Sequence, residues 1–337
     1  MAINKRLINT GGGGVEVPTS FNTVTYTGNG STQNVGGVGF QPDLVWGKAR
    51  TDSISNILFD SVRGENKQLS SNNTSAEVIR GSAAYEFKND GFTVTTVGNL
   101  NNAEDYVAWC WKAGGAAVTN TDGSISSEVS ANVDAGFSVV KYTGNGSVAT
   151  VGHALDVAPS LIIVKNLGST TDWYVYGFGL TSNAYFLKLN STAAEASDST
   201  VFNSTSPTST VFSIGTSTGT NGVNDLIAYC FAEKAGFSKI GSYTGNGSAT
   251  GTTVTTDFEP AFVMIKRTDS TGNWVILDNK RDTSNPIDKT LNPNLSAVES
   301  TANDIDFNAT TFQLKSTNAD TNANTATYIY MAFANQF

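Results

Sequence analysis

Charge is scarce in this chain. Lys, Arg, Asp and Glu together make 15% of its 337 residues, where a soluble domain ordinarily carries about a quarter. There is one histidine, His153, and there are two cysteines, Cys110 and Cys230. So thin a supply of N and S ligands excludes a typical zinc site, an H-E-x-x-H helix and a disulfide framework. It also leaves no plausible Cys–His nucleophilic pair, because His153 stands at a different place in the internal repeat described below. His153 reads as a structural or surface residue, and the cysteines as small buried hydrophobes. No apolar run approaches the length of a membrane span. Met1 to Thr10 contains Lys5 and Arg6 but no apolar stretch of signal-peptide length, so the expectation is a soluble chain made in the cytosol, without membrane insertion. With a net charge of -9, a pI near 4.6 and no Lys/Arg cluster, nucleic acid is not an expected partner.

What the chain has instead is Ser, Thr, Asn and Gly, with aromatic residues at 10%. The aromatics and the Val/Ile clusters supply core material that disordered chains lack. They recur in register. Three segments open on the same element: Phe21 to Gly30, Phe137 to Gly146 and Phe237 to Gly247, each ending Tyr-Thr-Gly-Asn-Gly, the third with one extra residue. Tyr26, Tyr142 and Tyr243 are therefore spaced by 116 and 101 residues. The match continues through Pro42 to Lys48, Pro159 to Lys165 and Pro260 to Lys266, each a proline followed by an apolar run ending in lysine. Next come Asn56 to Asp60, Trp173 to Tyr176 and Trp274 to Asp278, then Gly91 to Val94, Val211 to Ile214 and Thr311 to Leu314. Each unit closes on Tyr106 to Trp111, Leu226 to Phe231 or Tyr328 to Phe333, an alignment that superposes Cys110, Cys230 and Ala332.

These runs are short, β-branched or aromatic, and bounded by Gly, Asn, Asp or Pro, which is the pattern of strands. Thr-Gly-Asn-Gly supplies the residues that a hairpin turn needs. Unbroken apolar runs such as Leu161 to Val164 suit strands buried on both faces or at a sandwich centre. Helical periodicity is absent, apart from one turn each allowed at Thr74 to Ile79 and Thr192 to Ser197. The fold expected is all-β: three tandem antiparallel β-sandwiches, jelly-roll-like, of seven to nine strands each, with an up-and-down barrel as the alternative. The boundaries read as a flexible N-terminal arm over 1–20 (Gly11 to Gly14 within it), repeat 1 over 21–114, a linker over 115–136, repeat 2 over 137–234 and repeat 3 over 235–337. The arm is open to two readings, a tether that docks on a neighbour or a disordered terminus. Units of this size can each own a core, so the expectation is beads in series, with units two and three held more firmly than one and two by the brief Ala232 to Gly236 link. A short strand in the long linker can pack on the next unit.

Chemistry-bearing constellations are few. Two carboxylate groups stand as enzymatic candidates, since a glycosidase needs only a pair: Asp60 and Glu65 around Arg63, and Asp278 and Asp282 around Arg281. Repeat 2 has Tyr176-Gly-Phe-Gly-Leu180 at that place, so the reading taken is an Asp–Arg pair that steadies a surface turn, worth at most about 1 kcal/mol. Oxygen ligands cluster at Asn120 to Asp122 and Asn303 to Asp306 without matching a calcium loop. Trp46, Trp109, Trp111, Trp173 and Trp274 are open to sugar stacking, a lectin-like role, but their place in apolar runs favours core packing. No enzyme activity, cofactor, metal or catalytic residue is expected.

The sequence resembles a family of repeated β domains in virion proteins of tailed bacteriophages, especially those of marine and cyanobacterial phages. The residues that carry the resemblance are Tyr26 to Gly30 with Gly39 to Trp46, Asp60 to Gly64, Tyr106 to Gly115, Asn120 to Ile125, Ala135 to Val140 and Val151 to Pro159. The family leads one to expect Gly where Ala154 and Asp156 stand. The resemblance implies a virion protein assembled in the host cytoplasm: a tail or tail-fibre component in host attachment, forming a homotrimer, with other virion proteins and a host surface glycan or protein as partners. The alternatives are a capsid decoration or other purely structural subunit, and a carbohydrate-binding module. Any recognition is expected where the copies differ, at 61–90, 177–208 and 279–308.

Overall fold

Runs of β-branched and aromatic residues, each cut off by glycine, asparagine or proline, become short strands in the computed structural model, which describes residues 19–81 and 84–334. Of the arm expected over 1–20, residues 1–18, with Gly11 to Gly14, lie outside the described residues. The first repeat is built of β1 (Phe21–Thr27), β2 (Gln33–Val35), β3 (Leu44–Ala49), β4 (Ile57–Asp60), β5 (Lys67–Ser70), β6 (Val78–Ile79), β7 (Tyr85–Lys88), β8 (Gly91–Val94) and β9 (Asp105–Trp111). The second is preceded by β10 (Val118–Asn120) and β11 (Ser127–Asn132). It contains β12 (Phe137–Thr143), β13 (Ala149–Gly152), β14 (Leu161–Asn166), β15 (Tyr174–Gly177), β16 (Tyr185–Lys188), β17 (Ala196–Ser197), β18 (Val211–Ile214) and β19 (Asp225–Phe231). The third has β20 (Ser238–Thr244), β21 (Thr253–Thr255), β22 (Pro260–Arg267), β23 (Trp274–Asp278), β24 (Ile305–Asn308), β25 (Thr311–Leu314) and β26 (Thr327–Ala334).

Each repeat is a pair of antiparallel sheets, and among the described residues no barrel forms. The larger sheets run β1-β9-β3-β4-β5-β6, β10-β11-β12-β19-β14-β15-β16-β17 and β20-β26-β22-β23. The smaller ones are β2-β8-β7, β13-β18 and β21-β25-β24. First strand pairs with last and second with next to last, a nested order of jelly-roll type. The segment 115–136 is not a free linker. Its two strands form a hairpin whose second arm pairs with β12 from Asn132 opposite Phe137 to Ser127 opposite Tyr142, extending the large sheet of repeat 2.

The two candidate helical turns are not helices. They hold β6 and β17, and the backbone N–H groups of Glu77 and Glu195 donate to carbonyls in the following repeat, which a local helix would not permit. Among the described residues the helices are α1 (Ser199–Phe202) and α2 (Thr218–Asn221), single turns capped by the side chains of Asp198 and Ser217.

The repeats are not beads in series. One apolar cluster lies inside each sandwich, but a fourth is shared by the large sheets of all three, from Phe21 and Trp46 through Leu161 and Phe231 to Phe262 and Phe333. This is why Leu161 to Val164 and its counterparts read as unbroken apolar runs: one face fills the sandwich and the other fills the shared centre. At that centre Trp111, Phe231 and Phe333, the equivalent residues of β9, β19 and β26, meet edge to face. Their ring centroids are 6.0 Å (Trp111–Phe231), 5.9 Å (Trp111–Phe333) and 6.2 Å (Phe231–Phe333) apart, with interplanar angles of 69°, 72° and 65°. The near-equal triangle marks a pseudo-threefold axis within a single chain. The shared centre joins units one and two as it joins two and three, so neither pair is held by its linker alone.

Candidate functional site: the seams between the repeats

The polar residues that stood out in the sequence converge on the three seams. Asp60 lies opposite Leu44 in the β3–β4 pair, Gly177 opposite Leu161, and Asp278 opposite Phe262, so the three positions are equivalent. Asp60 and Arg63 are fully buried, with Arg63 Nε 2.5 Å from Asp60 Oδ2; Asp278 and Arg281 repeat the pair at 2.6 Å. The expected surface turn pair is therefore a core element. Its sequence spacing is the same exposed or buried, and what buries it is the neighbouring repeat. Tyr229 of repeat 2 donates its hydroxyl to Asp60 at 2.8 Å, and Trp109 of repeat 1 donates its indole N–H to Asp278 at 2.9 Å, beneath the Arg281 guanidinium.

Burial opposes the charge on Arg63, but Asp60, Tyr229 and Glu77 outweigh it and keep its pKa above the usual arginine value. Burial, then Asp60, pushes the Tyr229 hydroxyl well above its ordinary pKa. The third seam carries the apolar counterpart. Gly177 and Leu180 replace the ion pair, and Met331 stands where Tyr229 and Trp109 do. A buried ion pair is tolerable only when its remaining hydrogen-bonding capacity is met, so donor and acceptor disappear together.

Glu65 and Asp282 do not complete carboxylate pairs with these residues. Glu65 accepts from the backbone N–H of Phe87, and Asp282 accepts from the N–H groups of Asp288 and Lys289 and pairs with Lys289. The carboxylates that do join the ion pairs are Glu77, 3.2 Å from Arg63, and Glu299, 3.1 Å from Arg281 and held by Arg50 through two 2.9 Å bonds.

Backbone and side-chain bonds turn the three seams into a closed cycle. The N–H of Glu77 donates to Leu167 O at 2.9 Å, that of Glu195 to Thr268 O at 2.9 Å, and that of Glu299 to Arg50 O at 2.8 Å, so repeat 1 reaches repeat 2, repeat 2 reaches 3, and 3 returns to 1. In the opposite sense the Trp173 indole donates to Ser70 O and the Trp274 indole to Lys188 O, both at 3.0 Å, while Asn56 at the same position in repeat 1 donates to Leu295 O at 2.8 Å. Lys48, Lys165 and Lys266 are buried and donate to backbone carbonyls, Lys165 also to the Thr171 hydroxyl. Lys165 and Lys266 reach Thr74 and Thr192 across a seam. Burial lowers all three pKa values to about 8. The divergent segments 61–90, 177–208 and 279–308 thus contain the straps that bind one repeat to the next, while much of their remaining surface, including Ile79 and Phe178, stays exposed.

The Tyr-Thr-Gly-Asn-Gly element is braced inside its own repeat by residues the sequence reading passed over. Buried Asn101, Asn221 and Asn322 accept from the backbone N–H of Asn29, Asn145 and Asn246 at 3.1, 2.9 and 3.0 Å and donate to the carbonyls of Ser31, Ser147 and Ser248. Tyr26, Tyr142 and Tyr243 donate to the carbonyl one residue earlier, at Leu100, Thr220 and Thr321. An asparagine five residues ahead of Tyr106 and Leu226, and six ahead of Tyr328, was the available signal.

Other candidates are committed to neighbours. All five tryptophans are buried, which leaves none of them a face for sugar stacking. Cys110 and Cys230 are free and buried, with burial raising both thiol pKa values. His153 is buried, with Nε2 on Thr208 O at 3.1 Å and Nδ1 accepting from Leu155 N; burial lowers its pKa. Asn120 and Asp122 bond each other, Asn303 is buried against Thr290 and Thr321, and Asp306 pairs with Lys315. Among the described residues no group of three or more His, Cys, Asp or Glu side chains is placed to hold a metal ion, and no helix is long and apolar enough to cross a membrane.

A single family profile, a domain of unknown function termed DUF7483, matches residues 18–336. The chain belongs to that family. The profile runs through all three repeats and so takes in the whole cycle of seams. No curated protein and no solved structure matches the chain.

Proposed function

We propose that the protein is a structural, non-enzymatic component of a tailed-phage virion, a tail or tail-fibre part that presents a rigid body for host attachment. The sequence resemblance set out above supports this reading. The observation that carries it is where the polar chemistry goes. The buried charges and the indole and phenol donors that an active site or sugar site would use are spent on joining three repeats into one closed body. Such a body resists deformation, as a part under mechanical load must. The pseudo-threefold aromatic triad favours a second reading, a capsid decoration. One chain with three near-equivalent faces can seat on a local threefold axis of a shell, where three copies of a smaller domain would otherwise be needed.

Immunogold labelling of intact virions with copy-number determination decides between the two, and adsorption competition with purified protein tests attachment. Label at the tail, tens of copies or fewer, and slowed host adsorption is the result expected for a tail part. Label across the capsid at hundreds of copies, without competition, contradicts it.

A further inference from the structure

Each repeat carries an Asn-Gly step in the turn between its first two strands, which pass from the larger sheet to the smaller instead of pairing as the expected hairpin: Asn29-Gly30, Asn145-Gly146 and Asn246-Gly247. All three asparagines are exposed. Asn followed by Gly is the setting most open to deamidation, because glycine puts no side chain in the way of its own backbone nitrogen. That nitrogen loses its proton and attacks the Asn carboxamide carbon. Ammonia leaves, a cyclic imide forms, and water opens the imide to aspartate or to isoaspartate, whose main chain is longer by one carbon.

The fold holds both reacting groups away from this path. Gly30 N donates to Asn101 O at 2.8 Å, Gly146 N to Asn221 O at 2.9 Å and Gly247 N to Asn322 O at 3.0 Å, so the nucleophilic nitrogens are engaged. The carboxamide oxygens of Asn29, Asn145 and Asn246 accept from Ser31, Ser147 and Ser248 N at 2.8, 2.9 and 3.0 Å. The glycines sit at φ of 67°, 70° and 64°, left-handed backbone that glycine adopts without strain, and an isoaspartyl link would insert one more main-chain carbon just before them, between two hydrogen bonds to the same buried asparagine. Asn246 is held further: its amide nitrogen donates to Thr250 O and its oxygen accepts from Asn322 Nδ2, both at 3.3 Å.

We propose that these three Asn-Gly turns are latched modification sites, deamidating only when the turn opens away from its buried asparagine and unable to reclose in register once isoaspartate has formed. The deamidation rate at each turn then reports how often that turn opens.

The test is peptide mapping by mass spectrometry of full-length protein held at mildly alkaline pH, native and in denaturing urea. Native rates at least about tenfold below the denatured rates at all three sites, with Asn246 slowest, are expected; tenfold corresponds to about 1.4 kcal/mol of opening. Asn101→Ala removes the brace under the first turn alone, so the Asn29 rate should rise severalfold while Asn145 serves as the internal control. Native rates equal to the denatured ones, or an Asn29 to Asn145 ratio that Asn101→Ala leaves unchanged, overturn the proposal. The first comparison needs no variant and stands even if Asn101→Ala fails to fold.

Discussion

Trp111 and Phe333 meet edge to face with centroids 5.9 Å apart, although they lie in the closing strands of the first and last repeats. Phe231 completes the triangle. In a chain of independent units these would be three separate residues at three separate surfaces. Here each supports the whole. Trp111→Ala, Phe231→Ala and Phe333→Ala are each expected to cost about 3–5 kcal/mol, as large core truncations do, and to lower one common urea midpoint. Trp111→Phe should cost far less, because the indole N–H of Trp111 is buried without a partner and the change restores a threefold set of phenylalanines.

The polar seam makes its own prediction. Arg63→Leu alone leaves the Asp60 carboxylate buried with its charge partner gone and should destabilise by about 3–5 kcal/mol. The triple change Asp60→Gly, Arg63→Leu and Tyr229→Met copies the natural apolar seam of Gly177, Leu180 and Met331. It should recover most of that loss, so a triple variant less stable than Arg63→Leu would contradict the equivalence of the seams. Urea denaturation of the full chain measures both.

How much of this was legible beforehand depends on the range of the interaction. The repeats, the strands and the equivalence of Cys110 and Cys230 follow from local pattern, and the burial of Leu161 to Val164 on both faces was written in its lack of alternation. The seams were not legible. Asp60 and Arg63 three residues apart look the same on a surface as in a core, and only Tyr229, far along the chain, decides which. The straps were not legible for the same reason: divergence among 61–90, 177–208 and 279–308 suits recognition of an outside partner as well as it suits three different inside ones.

Stability should vary with pH in three regimes. Burial lowers the pKa of His153 from 6.5, with Asp122 and Asp156 opposing, so the unfolded chain binds the extra proton first and stability is lost as pH falls below about 6.5. Lys48, Lys165 and Lys266 titrate near 8 when folded and 10.5 when unfolded, so stability rises with pH above about 8. Tyr26, Tyr142, Tyr229 and Tyr243 are raised well above 10, so they reverse that trend beyond pH 10. Urea midpoints across pH 5 to 11 should peak between 9 and 10, and His153→Gln should flatten the limb between about pH 5 and 6.5.

Ala154 and Asp156 occupy left-handed backbone at φ of 54° and 59°, where the equivalent residues of repeat 1 are Gly37 and Gly39 at 82° and 87°. The glycines that the family resemblance leads one to expect suit that backbone. A side chain there is strained by about 1–2 kcal/mol, partly offset by the smaller entropy it loses on folding. Ala154→Gly and Asp156→Gly should each raise stability by up to about 1 kcal/mol, read as a higher thermal midpoint.

The closed cycle of three repeats is tested most directly by scanning calorimetry of the full chain. One transition, with the van't Hoff enthalpy equal to the calorimetric enthalpy, is the result predicted for a single cooperative body. Resolved transitions, or a van't Hoff enthalpy near a third of the calorimetric value, would mean that the repeats unfold independently and that the shared aromatic centre does not join them.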